Sequence, residues 1–218
     1  ATQAMRDGAF AQAQEVFADL GKQFPEDTRF EAGKIAALLA AGEWDRALQA
    51  LGETALPAPQ AAGLAGIAHA RLNHLADAER AFQLASTVEQ PPAVQFEYAA
   101  LLVKLIKPDE ARTLLDQVLT KGPHAGAHLG MALLAYESED WGACEQQARS
   151  ALAADPTLSK AHVLLAALAA RGGDLSQAMT SCQAALSQDP ESLQARTLRA
   201  SIALRQGDWA SAERDLLF

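Results

Sequence analysis

Residues 159–190 read SKAHVLLAALAARGGDLSQAMTSCQAALSQDP, and this stretch decides the fold. Val163, Leu164, Ala167 and Leu168 recur at helical spacing until Arg171-Gly172-Gly173 breaks the pattern, which predicts one helix and its stop. Asp174 stands where an N-cap belongs, with Gln177 three residues later as in a capping box. Leu175, Ala178, Cys182, Ala185 and Leu186 then share one face of a second helix. Gly173 suits the left-handed residue that closes a helix. Pro156 and Pro190 are expected to open the first helices, where a missing N–H does no harm.

Working outward, the hairpin repeats. Phe10, Trp44, Leu75, Pro108, Trp141, Leu175 and Trp209 are spaced 31 to 34 residues apart, and Ala13, Ala47, Ala78, Ala111, Cys144, Ala178 and Ala212 keep step three residues behind. Gly8, Gly42 and Gly207 repeat the stop, and Asp140 and Asp208 repeat the cap. A period near 34 residues means stacked helix pairs, none of which buries its apolar face alone.

Composition agrees. Half of the 218 residues are hydrophobic but only 6% are aromatic, and alanine and leucine dominate, which favours closely packed helices over sheet. A net charge of -9 opposes phosphate binding, so nucleic acid is a poor partner. The apolar runs stop well short of the ~18 residues a membrane span needs, and no signal core follows Ala1. Two cysteines suit a reducing cytoplasm and a periplasm equally.

These residues resemble the tetratricopeptide repeat family: a small residue in the first helix (Gly66, Ala99, Ala132, Ala166, Ala200), Gly at the turn, an aromatic or Leu after it, Ala in the second helix, then Phe or its substitute (Phe17, Phe82, Leu115, Cys182). The resemblance implies an all-α fold, an α-α superhelix or solenoid of stacked antiparallel helix pairs. It implies about seven units near 1–27, 28–58, 59–91, 92–124, 125–158, 159–192 and 193–218, the first and last incomplete. Ile35 stands where a small residue is expected, Lys107-Pro108 replaces Gly plus aromatic, and GETALPAPQ ends the second unit irregularly. Both ends fall inside the pattern, so a segment of a longer protein is expected, and the alanine-rich, cysteine-poor style looks bacterial.

The resemblance also implies a concave groove lined by first helices that holds a peptide. Carried over unit by unit, the candidate lining comprises Arg29, Ile67, Arg71, Phe96, Lys104, Leu129, Leu133, Tyr136, Lys160, Val163, Arg171 and Arg205. Its floor is mostly apolar, and Arg71, Lys104, Arg171 and Arg205 share one repeat position at the rim. Such a rim would steer a partner segment with apolar anchors and acidic flanks. Alternatively, each cation offsets the dipole of its own helix.

No catalytic residue, cofactor or metal site is expected. His124 and His128 share a helical face by spacing and His162 repeats the position of His128 one unit on, but all three read as packed or solvated residues, and His69 and His74 read as structural because nothing nearby in sequence completes a ligand set. Cys144 and Cys182 read as small core residues, and Trp44, Trp141 and Trp209 as core of the helix-pair interfaces. The functional expectation is a noncatalytic protein-binding scaffold. The alternatives are self-association through the apolar ends of the array, or substrate recruitment for a catalytic domain outside these residues.

Overall fold

The computed structural model describes residues 2–217, without the side chains of Thr2 and Arg6. Ala1 and Phe218, the ends assigned to the first and last units, lie outside the described residues. The described chain is all-helical. In order it forms α1 (Thr2–Arg6), α2 (Phe10–Gln23), α3 (Thr28–Ala40), α4 (Trp44–Gly52), α5 (Ala58–Arg71), α6 (Leu75–Ala85), α7 (Pro92–Lys104) and α8 (Pro108–Thr120). It continues with α9 (Ala125–Glu137), α10 (Trp141–Ala154), α11 (Ser159–Gly172), α12 (Leu175–Gln188), α13 (Leu193–Gln206) and α14 (Trp209–Leu216). Odd-numbered helices are the first members of the pairs and even-numbered helices the second.

The chain divides into two compact units, Ala1–Leu114 and Leu115–Phe218. In the first unit α5 packs along α6 and also against α3 and α7. In the second α9 packs on α10, and α11 packs on α12 and α13. Each unit is therefore a stack of antiparallel helix pairs, in which helices bury apolar stripes on their neighbours.

One turn, repeated, makes the pairs. The residue at the second-helix cap donates its N–H to the carbonyl five residues back: Glu43 to Leu38, His74 to His69, Lys107 to Leu102, Asp140 to Ala135, Asp174 to Ala169 and Asp208 to Ala203, all at 2.9–3.0 Å. The residue just before the cap is left-handed each time, at Gly42, Asn73, Ile106, Glu139, Gly173 and Gly207. This double feature is the Schellman close of a helix. Lys107-Pro108 is thus no departure in backbone shape, because Ile106 takes the glycine's place with φ 58°.

Ile106 is strained there. A left-handed L-residue costs about 1–2 kcal/mol, and a β-branched one is worse. Its side chain recovers little by burial, being 87% exposed. Ile106→Gly should therefore raise stability by ~1 kcal/mol, net of glycine's greater freedom when unfolded. A denaturant midpoint that falls would contradict this.

The predicted caps form. Asp140, Asp174 and Asp208 accept the N–H groups of Ala143, Gln177 and Ser211 at 3.0, 2.9 and 3.1 Å. The expectation that Pro156 and Pro190 open first helices is corrected. α11 and α13 begin at Ser159 and Leu193, and both prolines sit in the preceding loop. There they leave carbonyls for other residues: Arg196 donates to Pro190 O from Nε at 2.9 Å and from Nη2 at 2.6 Å.

Packing follows large against small. The Phe82 ring is wholly buried against Gly66, where an added Cβ would lie 2.7 Å from the ring. Phe17 of α2 covers Gly33 on α3, the first helix of the next pair, where an added Cβ would lie 2.5 Å from its ring. Ile35 then fills its own core with Leu38, Leu39 and Ala47. Cys144 and Cys182 are fully buried among alanines, and burial pushes both thiols up to about 11. Neither should react with a thiol reagent at pH 8 until the protein unfolds, because the thiolate is the reactive form. Rapid labelling of the native chain would contradict their placement.

The tryptophans divide. Trp44 packs on the Ile35 core and Trp141 is half-buried, but Trp209 is 70% exposed, which corrects its reading as interface core. Trp141 is covered by Arg171, thirty residues on.

Candidate functional site

The candidate lining residues meet different fates. Leu129 lies inside the core with Ala132, Ala135, Cys144 and Ala148, and so offers no lining surface. Ile67 packs partly onto the Ile35 core, and Phe96 and Val163 are half-buried. Leu133 and Tyr136, one turn apart on α9, are 42% and 37% exposed, and Leu204, which repeats the position of Tyr136 on α13, is 40% exposed. These large apolar side chains therefore stand partly in water at related positions on first helices.

The cations are mostly engaged. Arg29 folds back onto the N-cap Asp27, Nη2 to Oδ2 at 2.6 Å, holding that carboxyl below its usual range. Arg71 reaches Glu97 on the next first helix at 2.6 Å. Arg205 donates from Nη1 to the carbonyl of Ala170, in the last turns of α11, at 2.7 Å. The Arg171 guanidinium stacks on the Trp141 indole, 4.0 Å from the ring centroid. Three of the four repeat-related cations thus tie one helix pair to its neighbour. Arg205 does meet a helix C-terminus, but that of the preceding first helix instead of its own. Lys104 and Lys160 are exposed.

In the second unit these pieces converge. The ring of Tyr136 meets Trp141 edge-on, centroids 5.3 Å apart at 80°, and Arg171 covers the indole. A guanidinium on an aromatic face keeps its in-plane N–H groups available for a carboxylate. Trp141 and Arg171 also line a cleft of about 740 Å3 with Leu165, Leu168, Asp174 and Gln177, floored by α11 between α10 and α12. Sequence reasoning missed this cleft because it read Trp141 as core. The one hint was Gly142 beside it, also in the lining.

His124 Nδ1 accepts the Ala127 N–H at 3.1 Å, His128 Nδ1 lies 2.8 Å from Gln147 Oε1 and His162 Nε2 lies 3.2 Å from Pro156 O. These three hold separate places. His69 and His74, by contrast, lie beside Asp77, with one ligand atom from each of the three within 4.8 Å of the others.

Left-handed turns, capped second helices and large-on-small packing define an α-α solenoid repeat protein of the kind that binds other proteins. The tetratricopeptide repeat model matches residues 96–159, 129–192 and 163–217, more than half of the chain, which therefore belongs to that family. No curated protein sequence matches it. Solved structures do: the APC/C hetero-tetramer Cut9-Hcn1 (15% identity over 91% of this chain, TM-score 0.80) and PilW, a type IV pilus biogenesis factor (17% over 86% of this chain and 90% of that one, TM-score 0.74). YrrB, described as a tetratricopeptide repeat protein with an unusual peptide-binding site, matches at 19% identity over 84% of this chain and 97% of its own, TM-score 0.60. The chain spans 41% of the Cut9-Hcn1 chain it matches. Among the described residues no helix is long and apolar enough to cross a membrane.

Proposed function

We propose that this protein is a noncatalytic scaffold whose first-helix face in the second unit holds a segment of another protein by apolar anchors with acidic flanks. The observation that carries the reading is the pair Leu133 and Tyr136, exposed on one face of α9 and continued by Trp141 under Arg171. Leu133 and Tyr136 supply exposed apolar surface for an apolar anchor, and Arg171 and Lys160 supply the charge that orients it. YrrB's peptide-binding site makes a peptide the natural class of ligand for a chain of this fold.

Peptides selected from a random phage-displayed library test the reading. Winners should pair apolar anchors with Asp or Glu. Tyr136→Ala and Leu133→Ser should each weaken binding about tenfold or more, the loss typical of a buried interface anchor. Arg171→Glu should slow association and flatten its salt dependence. Winners indifferent to all three changes would overturn it.

Self-association is the second reading, favoured by the exposure of Leu193, Trp209, Leu216 and Leu217 near the last helix pair. A dimer in sedimentation that Trp209→Asp dissociates is its signature.

A further inference from the structure

We propose that His69, His74 and Asp77 form a site for a divalent transition metal of the zinc class, built across the turn between α5 and α6. The repeated turn creates it. In a Schellman close the residue donating the long bond stands over the residue that accepts it, so their side chains meet. At the other turns those pairs are Leu38 with Glu43, Leu102 with Lys107, Ala135 with Asp140, Ala169 with Asp174 and Ala203 with Asp208. At this turn the pair is two imidazoles, joined by the 2.9 Å bond from His74 N to His69 O, with ring centroids 6.0 Å apart. Asp77 follows in the first turn of α6, and one ligand atom from each of the three lies within 4.8 Å of the others.

One further feature points to a ligand. His69 Nδ1 is shut away from water with no hydrogen-bond partner. A buried nitrogen left unpaired is costly, and a metal or its bound water would satisfy it.

Two imidazoles and one carboxylate suit Zn2+, Co2+ or Ni2+ and leave a fourth position for water or for a side chain of a bound protein. Bonds of about 2.0–2.1 Å require tetrahedral ligand atoms about 3.4 Å apart. His74 and Asp77 are exposed, so rotation of their side chains can close the remaining distance. Asp77 must give up its ion pair with Arg80, which is exposed and therefore weak.

Metal-stripped protein titrated with Zn2+ and with Co2+ at pH 7.5 tests the site. One equivalent should bind, Co2+ should show the visible bands of a four-coordinate ion, and the thermal midpoint should rise. His74→Ala and Asp77→Asn, whose helicity is checked by circular dichroism, should each weaken binding about tenfold or more, while His128→Ala leaves it unchanged. No saturable binding by the native chain, or binding lost in His128→Ala and kept in His74→Ala, would overturn the proposal.

Discussion

Phe82→Ala should cost ~3–5 kcal/mol, the largest loss expected from a single side chain here. The ring is wholly buried, it stacks on Tyr98 with centroids 5.0 Å apart and planes 18° from parallel, and it presses on the bare backbone of Gly66. Truncation removes the buried area and leaves a cavity that two helices cannot collapse to fill. The reverse fault should also be severe. Gly66→Ala sets a methyl 2.7 Å from a ring that has no room to retreat, and overpacking of this kind costs ~1–3 kcal/mol or more. Combining Gly66→Ala with Phe82→Leu should restore part of the loss, since Ala166 with Cys182 shows that a small first-helix residue tolerates a smaller partner. Strictly additive midpoints in that double-mutant cycle would show that the two residues do not share one packing space.

Asp215→Ala should cost ~2–4 kcal/mol, localised to the last helix pair. The Asp215 carboxylate is buried and takes a two-pronged hydrogen bond from Arg199, Nε to Oδ2 at 2.7 Å and Nη2 to Oδ1. Removing it strands a guanidinium that is only 30% exposed. A cation abandoned in a buried pair costs more than the pair itself contributes, and the partial exposure of Arg199 moderates the loss. Because stacked repeats interact with nearest neighbours, the loss should appear as faster amide exchange in α14 while distant pairs stay protected. Arg199→Met with Asp215→Leu should recover most of the protection. Unchanged exchange in α14 after Asp215→Ala would contradict the account.

The fold was legible because it is written in short-range chemistry repeated many times. Caps at Asp140, Asp174 and Asp208 and stops at Gly42, Gly173 and Gly207 each involve residues within one turn, and the period ties them together. What was not legible depends on the third dimension. The turn shape is so well determined by its neighbours that Asn73, Ile106 and Glu139 adopt it without glycine, so residue identity alone understated its regularity. Ile35 does stand at the position that Gly66 holds in the next unit, and its fit among Leu38, Leu39 and Ala47 depends on a packing that spacing does not show.

The candidate site was half legible for the same reason. Leu133, Tyr136 and Arg171 were picked out by repeat position. That Arg71, Arg171 and Arg205 spend their charge on Glu97, Trp141 and the Ala170 carbonyl follows from how pairs stack, over separations of 26 to 35 residues. His69 and His74 looked unrelated because what joins them is a backbone bond.

The central claim is that a partner segment lies on the first helices of the second unit. Backbone amide resonances of the isotope-labelled chain, followed while a library-selected peptide is added, test it most directly. The account predicts shifts concentrated on Leu133, Tyr136, Lys160 and Leu204, with the Trp141 indole following through its contact with Tyr136. Shifts confined to the α10–α12 cleft around Leu165 and Gln177, or to Trp209 and Leu216 at the last pair, with α9 unmoved, would contradict it.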